Sequence, residues 1–374
     1  MSDRPHGRKE FRAVVDAEIA PHAGRFDREQ AVPDSVLRRL GELGWWGAIL
    51  PAGVGGAGLD MVTLGELHEE VGRGCSSVRS LLTVHSMVAY AVSQWGSREQ
   101  RERWLPLLAR GEAVGAFCLT EPEAGSDAAN ISATATRQDG GFVLRGSKRW
   151  ITGGQIADLL LVFARTGRGV SAFLVERAHP GVVTRPVNGM LGTRGSMLAE
   201  IDFQDCLLGP DALLGPDGFA LATVVSGVLD IGRYSVACGC VGIIQACMEA
   251  GAAFTAERGG RTKPLSDHQL VRRLLTQMVT DVSAARLLCR QAGELKDRQD
   301  PQTIMATWIA KYFASTAATR AASDAVQLHG AAGCSPGHPA QRYYRDAKIM
   351  EIIEGSTQIQ QIQIAEEAYR WTAR

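Results

Sequence analysis

The run Ile349–Gln360, IMEIIEGSTQIQ, places two carboxylates among isoleucines, and the second, Glu354, is followed at once by Gly355. A carboxylate stripped of hydration gains proton affinity. Such a group suits a general base. Gly355 lets the backbone come close to a ligand. Thr357 and Gln360 have the spacing of a capping box for a helix starting there. The N-terminal dipole of that helix would oppose the rise in pKa, so the sequence leaves the net shift open.

Two further stretches carry candidate chemistry. In FCLTEPEAGSD, Phe117 to Asp127, Pro122 closes a strand, and Gly125, Ser126 and Asp127 offer amides and a hydroxyl in a tight turn. That turn suits a pyrophosphate or the polar edge of a ring, and equally an ordinary capped loop. In KRWITGG, Lys148 to Gly154, Trp150 and Thr152 sit at a strand end, either as a core indole and its neighbour or as a face for a flat cofactor. GVGGAG, Gly53 to Gly58, matches G-x-G-x-x-G, but its flanks are helical and no βαβ series follows, so it reads as a glycine turn. In VRSLLTVHS, Arg79 and Thr83 lie four apart on one helix face. A guanidinium there either receives a carboxylate bidentately or is an ordinary exposed arginine.

The elements that must position these residues follow from periodicity. Residues 1–112 read as a helical domain, with Asp34 as N-cap of DSVLRRLGELGWW. Residues 113–221 break into short apolar or alternating runs separated by turns, which predicts a compact antiparallel sheet or β-barrel. Residues 222–374 return to long helical periods and predict a four-helix bundle. The fold class is therefore mainly α with a central β-domain. The chain has 374 residues, 45% of them apolar, enough for more than one core. Its 40 basic and 40 acidic residues balance, which argues against nucleic acid and polybasic membrane binding. Eight cysteines lack a CxxC pair, and Cys238-x-Cys240 has the wrong spacing for zinc, so no metal is expected. MSDRPHGRKE is no secretory signal and no apolar run reaches membrane-spanning length, so a cytoplasmic location is expected.

Taken together, LTEPEAGSD, KRWITGG, LGTRGSMLAEIDFQDC, DIGR, VQLHGAAG and RDAKIMEIIEGSTQIQ resemble the acyl-CoA dehydrogenase family over essentially the whole chain. The resemblance implies FAD and α,β-dehydrogenation of an acyl thioester on CoA or acyl carrier protein. Glu354 takes the place of the base, and its backbone N–H would bond the thioester carbonyl. Phe117, Leu119 and Thr120, with Trp150, Ile151 and Thr152, would contact the isoalloxazine. Gly125 and Ser126 would lie along the flavin, Ser126 also at the thioester arm. Arg258, Gln269, Gln327, Gly330 and Ala331 would hold the phosphates and adenine from a neighbouring subunit, which implies a homodimer or homotetramer. Ser356, Thr357 and Gln358 would touch the cofactor. Asp230, Arg233 and Gly355 would lie near the thioester.

The chain departs from the family at Glu123, Gly153, Ala331 and Arg261-Thr262, the last leaving the adenine end open. Arg79 and Thr83 resemble the glutaryl-CoA dehydrogenase branch, where such a pair holds the far carboxylate of the substrate. A short substrate polar at its far end follows, and with it a similarity to acyl-ACP dehydrogenases of polyketide extender-unit pathways, which make hydroxymalonyl- or methoxymalonyl-ACP. An electron acceptor is implied but not identified. Alternatives are an oxidase or monooxygenase, oxidation of an ACP-bound alcohol or aldehyde, and a non-enzymatic binding module. Glu354 argues against a monooxygenase, and the neutral charge against the DNA-associated branch.

Overall fold

A computed structural model describes residues 6–259 and 263–372. Six helices come first: α1 Arg8–Val14, α2 Ala23–Glu29, α3 Asp34–Glu42, α4 Met61–Gly74, α5 Ser76–Trp95 and α6 Arg98–Arg110. Their ends follow local chemistry. The Asp60 side chain caps α4 through the Thr63 N–H, and Ser97 with Gln100 forms a reciprocal capping box on α6. Asp34 is the first residue of α3 rather than its cap. Pro33 precedes it in extended geometry, and the proline's fixed φ starts the helix instead.

Eight strands follow: β1 Gly115–Cys118, β2 Thr134–Gln138, β3 Gly141–Ile151, β4 Leu159–Thr166, β5 Gly169–Glu176, β6 Val182–Pro186, β7 Ala199–Leu208 and β8 Leu213–Leu214. They form one sheet in the order β6-β7-β3-β2-β4-β5-β8, with β1 beside β4. The sheet is not wholly antiparallel: β1 and β2 both run parallel to β4. β1 ends at Cys118, four residues before Pro122.

The C-terminal part holds α7 Ser226–Glu257, α8 Gln269–Asp297, α9 Thr303–His329, α10 Pro339–Met350 and α11 Thr357–Thr372. Leu221–Glu257, of which α7 is the greater part, is apolar and long enough to cross a membrane, contrary to the expectation from sequence. Its side chains are instead buried in the bundle core with those of α8 and α9, and its glycines meet α4. There the backbones touch. A Cβ on Gly72 would stand 2.7 Å from the Gly239 Cα, and one on Gly242 would overlap the Glu69 carbonyl. No residue but glycine allows this approach. It brings α4, α5 and α7 together beneath the loop that joins α10 to α11.

Candidate active site

The α10–α11 loop carries Glu354 with φ +55°, a left-handed geometry that a non-glycine residue adopts at a cost of order 1 kcal/mol. Glu354 as a residue is half-buried, but its carboxylate oxygen Oε2 is sealed from solvent and receives no hydrogen bond. Burial pushes its carboxyl up to about 7, against the opposing pull of Arg233, Lys311 and Arg79. Desolvation therefore outweighs the three cations. Glu351 is a different group. Its carboxylate pairs with Lys348 at 2.5 Å, and its carbonyl accepts the Thr357 N–H.

The loop is pinned from three sides. Arg233 Nε of α7 donates to the Glu354 carbonyl at 3.1 Å, its guanidinium lying 4.2 Å from the Trp308 ring centroid. Lys311 Nζ of α9 donates to the Gly355 carbonyl at 2.8 Å, and Gln360 Nε2 to the same oxygen at 2.9 Å. The expected Thr357–Gln360 capping box does not form. Thr357 is the first residue of α11, its N–H and hydroxyl both reach back to Glu351 O, and Ser356 Oγ accepts from Ile359 N. The Glu354 N–H donates to no acceptor among the described residues and remains available to a ligand carbonyl.

Gly232 makes the room for the carboxylate. A Cβ there would overlap Glu354 Oε2 and stand 2.7 Å from its Cδ and 2.9 Å from Met87 Sδ. From Met87 the same face of α5 runs to Thr83 and Arg79 at four-residue steps. Arg79 is 1% exposed. Its Nη1 donates to Thr83 Oγ1 at 3.0 Å and its Nη2 to Ser80 Oγ at 2.9 Å, while Thr83 Oγ1 stands 2.6 Å from Ser235 Oγ of α7. The exposed-arginine alternative is thus excluded. Asp230, one turn before Arg233, is tied by one oxygen to Lys296 of α8, and its Oδ1 is buried without a partner.

The flavin-motif segments converge on β1 and β3. The Arg149 N–H donates to Thr120 O at 2.9 Å and Lys148 Nζ to Leu119 O at 3.1 Å, which sets Phe117, Leu119 and Thr120 beside Trp150, Ile151 and Thr152. Glu121 locks the turn, accepting from Lys148 Nζ at 2.7 Å and from the backbone of Ser132 and Ala133. Trp150 is held at φ +61° with 42% of its surface exposed, and a Cβ on Gly125 would meet nothing within 4 Å. An open indole face beside an open glycine turn fits a flat ring system with a polar edge. Ser126 on that turn is exposed. Where a Gly153 Cβ would stand, Leu81 of α5 is 3.4 Å away, so this edge and the Glu354 loop share α5 as a floor.

Arg258, Gln269, Gln327, Gly330 and Ala331 lie elsewhere. They cluster where α7 ends, α8 begins and α9 ends, and all five are exposed. Gln327 stands sixteen residues beyond Lys311 on α9, which is about 24 Å from the Glu354 loop. The Arg261-Thr262 position falls outside the described residues. Lys311, Gly232, Glu121 and Lys148 escaped the reading of motifs, and Gln360 was read only as a capping residue. The signals present were a lone lysine in an apolar helix, TWIAKYFAS, and a glycine inside the helical DIGR.

This fold, with an exposed indole beside an open glycine turn and a buried carboxylate, is that of a flavin-dependent oxidoreductase. Family models agree: the acyl-CoA dehydrogenase N-terminal domain matches residues 5–112, the middle domain 116–206 and the C-terminal domain 217–369. The mitochondrial short-chain specific acyl-CoA dehydrogenase of Rattus norvegicus is 36% identical over 364 residues, covering 96% of this chain and 88% of that one. A glutaryl-coenzyme A dehydrogenase in complex with glutaryl-CoA superposes with a TM-score of 0.93 at 35% identity, covering 97% of this chain and 94% of that one. FkbI, described as serving biosynthesis of the methoxymalonyl extender unit of the Fk520 polyketide, superposes with a TM-score of 0.89 at 33% identity, covering 97% and 99%. The chain belongs to the acyl-CoA dehydrogenase family of FAD-dependent oxidoreductases.

Proposed function

We propose that this enzyme dehydrogenates a short acyl thioester whose far end carries a carboxylate, with Glu354 as the base and Arg79 as the carboxylate receptor. One observation carries the reading. Arg79 is a fully buried guanidinium with no carboxylate in ion-pair reach among the described residues, and unlike the other unpaired buried cations, Arg233 and Lys311, which hold the Glu354 and Gly355 carbonyls, it is met only by neutral side chains. An unpaired buried charge costs several kcal/mol, and a ligand carboxylate would compensate it. Arg79, Arg233 and Lys311 all act on the one carboxylate of Glu354, so the cavity carries an excess of positive charge that suits an anionic substrate.

Trp150, Thr152 and the Gly125–Ser126 turn would hold the isoalloxazine, which when bound accepts the β-hydride. Glu354 takes the α-proton through Oε2, whose lack of hydrogen-bond donors raises its basicity. The free Glu354 N–H stabilises the thioester oxygen as charge develops on it. Ser126, Asp230 and Arg233 flank the thioester arm, Arg233 by fixing the Glu354 carbonyl. The distant cluster from Arg258 to Ala331 serves a neighbouring subunit's FAD, so the active species is a homo-oligomer. The eight cysteines, none in a disulfide, suit a reducing cytoplasm.

A second reading concerns the carrier. The similarity to FkbI supports an ACP-bound precursor of a polyketide extender unit in place of a CoA ester. Mass spectrometry after incubation with matched acyl-CoA and acyl-ACP thioesters, with and without a terminal carboxylate, decides both questions. Anaerobic turnover with an artificial acceptor, compared with aerobic turnover, separates a dehydrogenase from an oxidase. Preference for unsubstituted alkyl thioesters would refute the role of Arg79.

A further inference from the structure

We infer that Lys311 is a positioning residue that acts through the Gly355 carbonyl, holding the catalytic loop in register and setting the protonation of Glu354. This rests on Glu354 being the base. Lys311 is fully buried in α9 and forms no ion pair among the described residues. Its ammonium spends a hydrogen bond on a backbone oxygen, Gly355 O, at 2.8 Å. A buried amine so placed costs more to keep charged than a neutral donor would. Burial accordingly pulls it down to about 8.

The geometry explains what the charge does. Glu354 and Gly355 have φ of +55° and +90°, an unfavourable pair of conformations for a loop with a non-glycine residue at its centre. Their two successive carbonyls are each held by a cation from a different helix, Arg233 on the first and Lys311 on the second. Gln360 supplies a neutral donor to the second carbonyl. Arg233 therefore locks the 354–355 peptide and Lys311 the 355–356 peptide, and neither rotates without breaking a charge-assisted hydrogen bond. The two planes together hold the backbone on the C-terminal side of Glu354, from which its side chain is aimed.

The charged groups facing Glu354 are Arg79 from α5, Arg233 from α7 and Lys311 from α9, while Asp230 and Glu351 act on Arg233 and Lys311 in turn. Arg79 has a role with substrate and Arg233 stacks on Trp308. Lys311 has the Gly355 carbonyl as its hydrogen-bond partner and no ring contact among the described residues.

Two variants separate donor from charge. Lys311→Met removes both, and Gln360→Leu removes only a neutral donor to the same oxygen. The FAD-loaded enzymes are titrated without substrate by the infrared carboxyl band that disappears in Glu354→Gln. They are then mixed anaerobically with glutaryl-CoA and with butyryl-CoA while flavin absorbance is followed against pH. In Lys311→Met the band midpoint should move up by about one unit. The plateau rate of flavin reduction should fall roughly tenfold to a hundredfold on both thioesters, with little change in KM. In Gln360→Leu the rate should fall less and the midpoint stay put. Should Lys311→Met fail to fold, Lys311→Gln takes the same tests with the same midpoint shift expected. A folded, flavin-loaded variant with wild-type midpoint and plateau overturns the inference. Reduction that survives in Glu354→Gln instead overturns the assignment of the base, so the two failures are distinct.

Discussion

Replacing Glu354 by glutamine should stabilise the protein at alkaline pH while abolishing flavin reduction. Burial raises the folded-state carboxyl from 4.5 to about 7. A carboxyl whose pKa is raised on folding helps the fold while it is neutral, below its unfolded pKa, and loses that help as pH climbs through the folded value. For this shift the loss relative to low pH is about 0.8 kcal/mol near pH 5 and about 3.3 kcal/mol near pH 8. Glutamine has no proton to lose, and its constant desolvation cost cancels when two pH values are compared. Between them the variant should gain about 2.5 kcal/mol on the wild type. At about 2 cal/mol/K per residue of unfolding entropy, that amounts to about 3 °C in thermal midpoint for a chain of this length. The assay is a pair of melting curves at each pH, FAD-loaded, at matched protein concentration. Glu351→Gln, whose carboxylate is paired with Lys348, serves as the control for flavin reduction. Flavin reduction by a competent thioester should fall by roughly 10²–10⁴ or more in Glu354→Gln only. A Tm difference that stays flat across pH would show that the Glu354 carboxylate is not desolvated, and the physical basis of its role as base would go with it.

Three further outcomes follow from packing and charge. Arg79→Met should raise Tm, because it removes a buried charge that no protein carboxylate balances, yet cost at least about 10²-fold in kcat/KM on glutaryl-CoA relative to butyryl-CoA. Equal losses on both esters would show that Arg79 is not the carboxylate receptor. Gly232→Ala should depress the rate of flavin reduction by about 10²-fold with FAD retained, since the new methyl displaces the Glu354 carboxylate; stopped-flow absorbance checks it. Lys148→Met should weaken FAD binding and lower stability by about 3–5 kcal/mol, because Glu121 is left buried and unpaired under the flavin turn; equilibrium dialysis and melting measure the two effects.

Much of the site was legible because its residues are contiguous. Trp150 and Thr152 sit at one strand end, Gly125 and Ser126 in one turn, and Glu354 in one loop, so local composition announces them. The errors came from long range. The Thr357–Gln360 spacing looked like a capping box, but Gln360 is drawn to the Gly355 carbonyl, because that oxygen also accepts from a lysine more than forty residues earlier. The tie of one Asp230 oxygen to Lys296, which leaves the other oxygen without a partner, is likewise a contact between distant helices. The apolar Leu221–Glu257 could have been a span, and only the helices around it make it core.

Periodicity and motif alone determined the order of helices, sheet and helices, the flavin-type loop, and which glutamate is the candidate base, because each is set by residues within a few positions of one another. Whether that base is desolvated, whether Arg79 lacks a counter-ion, and which cations clamp the loop were decided by tertiary structure. Burial and charge pairing depend on what α5, α7 and α9 bring to the same few ångströms, and no local stretch of chain contains that information.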